Sequence, residues 1–303
     1  MENCLLTLFT PTYNRARLLG ALYKSILAQP NKDKFEWLIV DDGSTDNTKG
    51  VVAEFVKENK INIRYVFQEN KGKASAFNFA ANNAMGRWLF CIDSDDVFVE
   101  NSLINFFEIE DKFYDNSKLA GILTARKMIN SHEKSANHVP VTNGVLTNFG
   151  KLRKKGFTGE PDAFFKIHVL KEYPFPIIEG EKFTPETSSF DLIDTKYLFV
   201  FCSATFIISE YQTDGYTINR DKIALNNPKG MALWLNQRAG LCWNPILKLK
   251  YLSLYCAFEI FYGGKRVIRK SSSKLLCLIA FPVGYFHSKK FRKRYKKYTE
   301  NCK

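Results

Sequence analysis

Two acidic clusters stand at the ends of apolar runs. Leu38-Ile39-Val40 leads into Asp41-Asp42-Gly43-Ser44-Thr45-Asp46, and Trp88-Leu89-Phe90-Cys91-Ile92 leads into Asp93-Ser94-Asp95-Asp96. Short apolar runs of this kind read as buried strands. In an open α/β sheet, ligands gather outside the carboxyl ends of the strands, so two such strands converge their carboxylates on one crevice. Carboxylates held close together repel unless a cation or hydrogen-bond donors lie between them. Hard oxygen ligands select Mg²⁺ or Mn²⁺, and Mg²⁺ is typically held by one or two carboxylates together with substrate phosphates. The pattern predicts a site for a metal-bound nucleotide phosphate.

The elements that must position these groups alternate along the first part of the chain. Strand signals fall at 5–9, 35–40, 61–67, 87–92 and 119–125, and helix signals at 17–29, 48–59, 73–84 and 101–112. Such alternation predicts an α/β fold with a doubly wound, mostly parallel sheet. Asp46 reads as the N-cap of the helix that follows it. Residues 130–160 are polar and read as an insertion or long loop, 163–170 and 197–209 as returns to the sheet, and the chain from Lys229 onward as a basic helical extension. The expected organisation is a catalytic domain over 1–228, with a nucleotide-binding half over about 1–125 and an acceptor half over about 126–228, then a basic, aromatic-rich helical region over 229–303.

Charge is distributed unevenly. Residues 248–303 hold 15 Lys and Arg against two acids, Glu259 and Glu300, so this segment carries the whole net charge of +13. A polyanionic partner is implied, either anionic lipid or nucleic acid. Two apolar stretches here, Tyr251–Gly264 and Leu275–Phe286, are too short to span a bilayer, which needs roughly 20 residues. Basic residues flank both, the pattern of helices lying in a membrane interface; the competing reading is a packed helical subdomain with a solvated basic face. The seven cysteines lack any C-x-x-C spacing, which argues against a disulfide framework or zinc site and for a reducing compartment. Leu5–Phe9 is too short for the apolar core of a signal peptide. The four histidines have no metal-ligand spacing, and neither a G-x-S-x-G element nor a Walker-type loop occurs.

Four blocks then line up in order: Phe9-Thr10-Pro11-Thr12-Tyr13-Asn14-Arg15, Val40 to Asp46, Asn70-Lys71-Gly72-Lys73-Ala74-Ser75-Ala76-Phe77-Asn78, and Asp93-Ser94-Asp95-Asp96. Together they resemble the family 2 glycosyltransferases of bacterial surface-polysaccharide type, inverting enzymes with the nucleotide-diphospho-sugar transferase (GT-A) fold. The resemblance covers about residues 3–125 and continues more weakly through Phe183-Thr184-Pro185-Glu186. It implies that Thr10, Pro11 and Tyr13 lie beside the base and ribose, Tyr13 offering a stacking face. Asp42 would accept from the uracil ring N–H while Asp41 braces the loop. Lys73, opening a helix, would reach the nucleotide or its phosphates, and Asn78 on that helix would serve the substrate or the neighbouring loop. Asp93 would serve the ribose or the loop, Asp95 would bridge ribose and metal, and Asp96 would coordinate the metal. Departure of a nucleoside diphosphate leaves negative charge that a divalent cation can neutralise.

Inverting transfer also needs a general base on the acceptor hydroxyl. The resemblance points to Glu186, which a Thr184 N-cap and Pro185 at the first helical position would put in the first turn of a helix. Glu181 and Asp191 are the alternatives, since the family's usual Glu-Asp pair is absent. The expected activity is transfer of a sugar from a nucleotide-diphosphate sugar, UDP-linked, to a saccharide or lipid-linked saccharide, with Mn²⁺ or Mg²⁺. The expected location is cytoplasmic, at the inner face of the cell membrane, with residues 248–303 on the anionic surface and no nucleic acid bound. A sugar nucleotidyltransferase would carry a Gly-rich basic loop where Thr10 to Asn14 stand. A nucleic-acid module would have a wholly polar basic groove, whereas here the bases alternate with bulky apolar residues.

Overall fold

The computed structural model describes residues 4–129, 143–154, 161–210 and 219–300. The chain forms two compact units, one of Met1–Pro174 with Leu192–Gln212, the other of Phe175–Asp191 with Thr213–Lys303.

The first unit opens with three βα repeats and a fourth strand. β1 (Leu6–Thr12), β2 (Phe35–Asp41), β3 (Asn62–Phe67) and β4 (Trp88–Cys91) alternate with α1 (Ala16–Leu27), α2 (Thr48–Glu58) and α3 (Lys73–Asn83). β5 (Val97–Phe98), α4 (Leu103–Phe113), β6 (Leu119–Ile129), β7 (Leu146–Thr147), α5 (Phe149–Lys154), β8 (Asp162–Lys166) and α6 (Ile167–Glu172) follow; α7 (Thr187–Lys196), whose first half is counted with the second unit, leads into β9 (Leu198–Glu210). The sheet order is β3-β2-β1-β4-β8-β6-β9-β5, with β7 pairing on β9. β1 to β4 run parallel; β8 is antiparallel to both β4 and β6. The carboxyl ends of β1, β2, β4 and β6 therefore share one edge, and β8 begins there.

β2 is buried along its whole length, as expected of a strand covered on both faces. Its Trp37 indole donates to Thr10 Oγ1 at 2.9 Å, and Tyr23 of α1 stacks on Phe55 of α2 at 4.1 Å between ring centroids. At the opposite edge the buried Glu36 accepts from Thr7 Oγ1 and the Met85 backbone N–H, each at 2.6 Å, with Arg64 at 2.8 Å. The run 163–170, expected to return to the sheet, does so only through β8 and continues as α6. A short apolar run does not distinguish the two states, and Ile167, Val169 and Leu170 bury one face of a helix turn. Of the expected 130–160 loop, residues 130–142 and 155–160 lie outside the described residues; the part between holds β7 and α5.

The second unit is helical: α8 (Arg220–Asn226), α9 (Pro228–Leu241), α10 (Pro245–Phe261), α11 (Val267–Lys270) and α12 (Lys274–Glu300). Its core gathers Leu235 and Ala239 of α9, Leu252, Tyr255 and Phe258 of α10, and Cys277 and Ala280 of α12. The stretch Tyr251–Gly264, expected to lie in a membrane interface, is mostly the buried helix α10 instead. Its Glu259 is also buried and accepts from Tyr262 Oη at 2.6 Å. Among the described residues no helix is long and apolar enough to cross a membrane. The six described cysteines are free thiols.

α12 approaches α10 at Gly284, where a Cβ would stand 2.5 Å from Cys256 Cβ and 2.7 Å from Ser253 O. Gly284→Ala forces the two backbones apart. Overpacking costs about 1–3 kcal/mol, so the variant should unfold several degrees below wild type by calorimetry, with the two-helix contact as the lost element.

Candidate active site

The site is assembled from loops at the carboxyl edge. After β1 the chain turns at Asn14, in the left-handed region at φ 52°. The Asn14 side-chain oxygen accepts from Thr45 N at 2.7 Å, and Asn14 N donates to Ser44 Oγ at 2.8 Å, latching this loop to the one after β2. Asp46 then caps two helices at once: one oxygen accepts from Thr48 N at 3.0 Å and Thr48 Oγ1 at 2.6 Å, the other from Ala16 N at 3.0 Å. The N-cap position of α2 itself is Asn47, one residue past the expected Asp46, but the capping side chain is that of Asp46.

Asp41 and Asp42 hold the loops together. Asp41 accepts from Ser44 N at 2.7 Å and Tyr65 Oη at 2.6 Å. Asp42 accepts from Gln68 Nε2 at 2.6 Å and from Lys71 N and Gly72 N at 2.8 Å each. A carboxylate offers about four lone-pair sites, so Asp42 retains acceptor capacity for one more donor. Gly43 makes this packing possible: its φ is +88°, and a Cβ there would lie 2.9 Å from Asn70 N.

Strand order reverses between β1 and β4, since β2 and β3 lie on one side of β1 and β4 on the other. This is the crevice in which α/β sheets bind ligands. Ile92 N still pairs with Phe9 O at 2.9 Å, and Asp93, Asp95 and Asp96 follow immediately at its mouth. Lys73, the first residue of α3, reaches Asp93 Oδ1 at 2.7 Å. Burial alone would raise the Asp93 carboxyl; Lys73, with Arg126 and Arg15, outweighs it and holds the group below the usual range. Asp95 is raised by burial and by the charge of Asp93. Burial pushes Asp96 up to about 7 despite Arg126, with Asp93 and Asp162 acting in the same direction.

The sequence reading passed over Arg126 and Asp162. Arg126 lies in the carboxyl-terminal half of β6, Asp162 begins β8, and pairing of Thr124 with Asp162 brings them together. Arg126 donates to Asp162 Oδ1 through Nε at 3.0 Å and Nη2 at 2.5 Å, and its Nη1 lies 3.3 Å from Asp96 Oδ2. A charged residue directly after the run 119–125 was the available signal for Arg126, the same strand-end signal as Asp41 and Asp93. Asp162 follows a long polar stretch and had none.

The other expected residues fall as follows. Thr10 is fully buried and its hydroxyl accepts from Trp37, so it supports the loop; Pro11 is partly exposed, and the Tyr13 ring is 48% exposed beside it. Glu186 lies one residue ahead of α7, not in its first turn, and its carbonyl accepts from Phe190 N at 3.3 Å. Glu181 caps α9 through Lys229 N and Gly230 N, both at 2.8 Å, and Asp191 is paired with Arg238 Nε at 2.6 Å and Nη2 at 3.0 Å. Both alternatives to Glu186 therefore have structural employment.

Among the described residues no group of three or more His, Cys, Asp or Glu forms a metal cage. Asp96 Oδ2 is nonetheless buried without a hydrogen bond, and burial raises both Asp95 and Asp96 above the ordinary carboxylate value. Two such carboxylates fit a hard divalent ion that takes its remaining ligands from a diphosphate.

A mononucleotide-type βα half with acidic strand ends, continued by a mixed sheet, is the arrangement of the GT-A fold. The S. aureus TarS 1-349 structure in complex with UDP-GlcNAc shares this fold, with a TM-score of 0.61 and 18% identity over 97% of this chain and 92% of that one. The Glycosyl transferase family 2 model matches residues 7–173, more than half of the chain, and the protein belongs to that family. An uncharacterised glycosyltransferase of Nostoc sp. is 33% identical over 41% of this chain and 37% of its own length. The chain thus spans little more than a third of that relative. The Escherichia coli UDP-Glc:alpha-D-GlcNAc-diphosphoundecaprenol beta-1,3-glucosyltransferase WfgD is 25% identical over 86% of this chain and 95% of its own.

Two outcomes follow from the geometry. Arg126→Met leaves the buried Asp162 carboxylate without its cation and removes the charge partner of Asp96, which should cost about 3–5 kcal/mol in urea unfolding. Asp46→Ala removes both caps, worth about 1 kcal/mol or somewhat more for an exposed side chain. Burial would raise the Asp46 carboxyl, but hydrogen bonds from Thr48 and Ala16 outweigh it and lower the group. Its contribution is therefore present above the unfolded value of about 3.9 and lost as pH falls through the lower folded value. The stability gap between wild type and Asp46→Ala, measured by urea unfolding, should be constant near neutrality and shrink in that acid range.

Proposed function

We propose that the protein transfers a sugar from a UDP-sugar to a hydroxyl of a saccharide or lipid-linked saccharide, with inversion and with Mn²⁺ or Mg²⁺ bound, in the synthesis of capsule, exopolysaccharide or lipopolysaccharide. The observation that carries this reading is the row Asp93, Asp95 and Asp96 at the β1–β4 crevice with Lys73 beside it. The donor named for the E. coli relative and the nucleotide sugar bound by TarS support a UDP-linked donor. The relative's diphosphoundecaprenol acceptor supports a lipid-linked one.

In this reading Tyr13 stacks on the base, Asp42 accepts the ring N–H with its remaining lone pair, and Thr10 and Pro11 shape the loop beneath. Asp93 and Asp95 hold the ribose, and Lys73 faces the phosphates as a point charge. Asp95 and Asp96 would hold a divalent ion, whose charge would offset that of the departing diphosphate. Glu186 accepts the proton of the acceptor hydroxyl. The oxygen forms a bond to the anomeric carbon as that carbon's bond to the diphosphate oxygen breaks on the opposite face, so the electron pair leaves with the nucleotide. The protein works on the cytoplasmic side, at an anionic inner leaflet engaged by the basic region 248–303.

Calorimetry of UDP with and without Mn²⁺ tests the donor site. Wild type should bind more tightly with the metal, and Asp96→Ala should lose that gain; no UDP binding under either condition would overturn the donor assignment. Glu186→Gln should lower the transfer rate by about 10²–10⁴ while leaving UDP affinity unchanged. A variant with normal turnover would remove Glu186 as the base.

A further inference from the structure

α12 is apolar on two opposite faces over its first half, and packing uses only one of them. Cys277, Ala280, Gly284 and Ser288, spaced three and four apart, are buried within the second unit. The opposite face carries Leu275, Ile279, Pro282 and Phe286 at the same spacing, flanked by Leu278 and Val283. Leu275 is 73% exposed and Phe286 64%. At 3.6 residues per turn, this stripe continues into Lys289 and Lys290, Lys293 and Lys297, all exposed. Among the described residues Lys290, Lys293 and Lys297 have no ion-pair partner, whereas Arg294 pairs with Asp221 at 3.1 Å and Arg292 donates to Ile260 O at 3.1 Å. The stripe contains no acid.

We infer that this stripe of α12 is the surface that docks on an anionic lipid leaflet, with the Leu275–Phe286 half in the headgroup–acyl boundary and the lysine half over the headgroups. It rests on the membrane location proposed above and narrows it from residues 248–303 to one face of one helix, because α10 is spent on the core. Twelve residues of helix are about 18 Å long, too short to span but suited to lying in the interface. Charge decides the occupant. A second copy would set lysine row against lysine row or against apolar side chains, and a nucleic acid would leave Leu275, Leu278 and Ile279 uncovered. An anionic leaflet satisfies both halves, each lysine near it contributing about a fivefold factor in partitioning.

The test is sedimentation of the full chain with vesicles of phosphatidylcholine, with and without phosphatidylglycerol. Wild type should pellet with the anionic vesicles and weakly or not at all with the neutral ones. Lys290→Glu/Lys293→Glu/Lys297→Glu should lower anionic binding by about a hundredfold or more, and Ile279→Glu/Phe286→Glu by at least about tenfold. Since all these side chains are exposed, thermal unfolding should match wild type and serves as the folding control. Wild type remaining in the supernatant, or both variants pelleting like wild type, would overturn the inference. So would sedimentation velocity showing a wild-type dimer that Ile279→Glu/Phe286→Glu dissociates without any vesicle binding. UDP calorimetry on the same samples separates the two proposals: donor binding without vesicle binding removes only the surface, and vesicle binding without donor binding removes only the donor site.

Discussion

The structure turns on like charge gathered in a confined space. Three carboxylates within four residues meet at the crevice between β1 and β4, and burial raises two of them. Such a cluster is tolerable only because cations stand around it: Lys73 on Asp93, and Arg126 between Asp96 and Asp162. Each of these comes from a different element, so the site tests the registry of β4, α3, β6 and β8 together. Leaving any one cation out would strand a desolvated negative charge, which costs more than a hydrogen bond returns.

The loops on the other side of the crevice solve a different problem. Their backbone must be held open to a ligand without regular structure, and short polar side chains do this work. Asn14, Ser44 and Asp46 tie the β1 loop to the β2 loop, and Asp42 draws in the segment before α3 through three hydrogen bonds. The aspartates most visible in the sequence are therefore partly structural, and the same carboxylate that braces a loop can present its remaining lone pair to a base. Preorganisation of this kind lets a polar site bind without first ordering itself.

The helical unit follows a simpler logic. α10 is buried nearly all round over Leu252–Glu259 while α12 buries one stripe, and the close approach at Gly284 fixes how α12 lies on α10. What remains exposed on α12 is more apolar than solvation favours, while its basic residues divide between internal partners and open solvent. Large apolar faces on a protein surface mark interaction sites more often than accidents.

Periodicity and strand-end chemistry made the first half of the fold legible. The alternation of β1 to β4 with α1 to α3 could be read within a residue or two except at the end of β1, which runs three residues past the expected Phe9 to Thr12, because buried parallel strands and amphipathic helices impose patterns that are local in sequence. The acidic strand ends were legible for the same reason. The pairing of Arg126 with Asp162 was not, because those residues meet only through antiparallel pairing across a long intervening stretch. Nor could sequence tell α10 from α12: both read as apolar runs flanked by bases, and which becomes core depends on neighbours that arrive from elsewhere in the chain. The sequence by itself thus determined the alternating architecture and the placing of carboxylates at its strand ends. Only the tertiary structure decided which cations neutralise them and which apolar helix is left facing out, since burial and charge pairing are properties of contacts between distant segments.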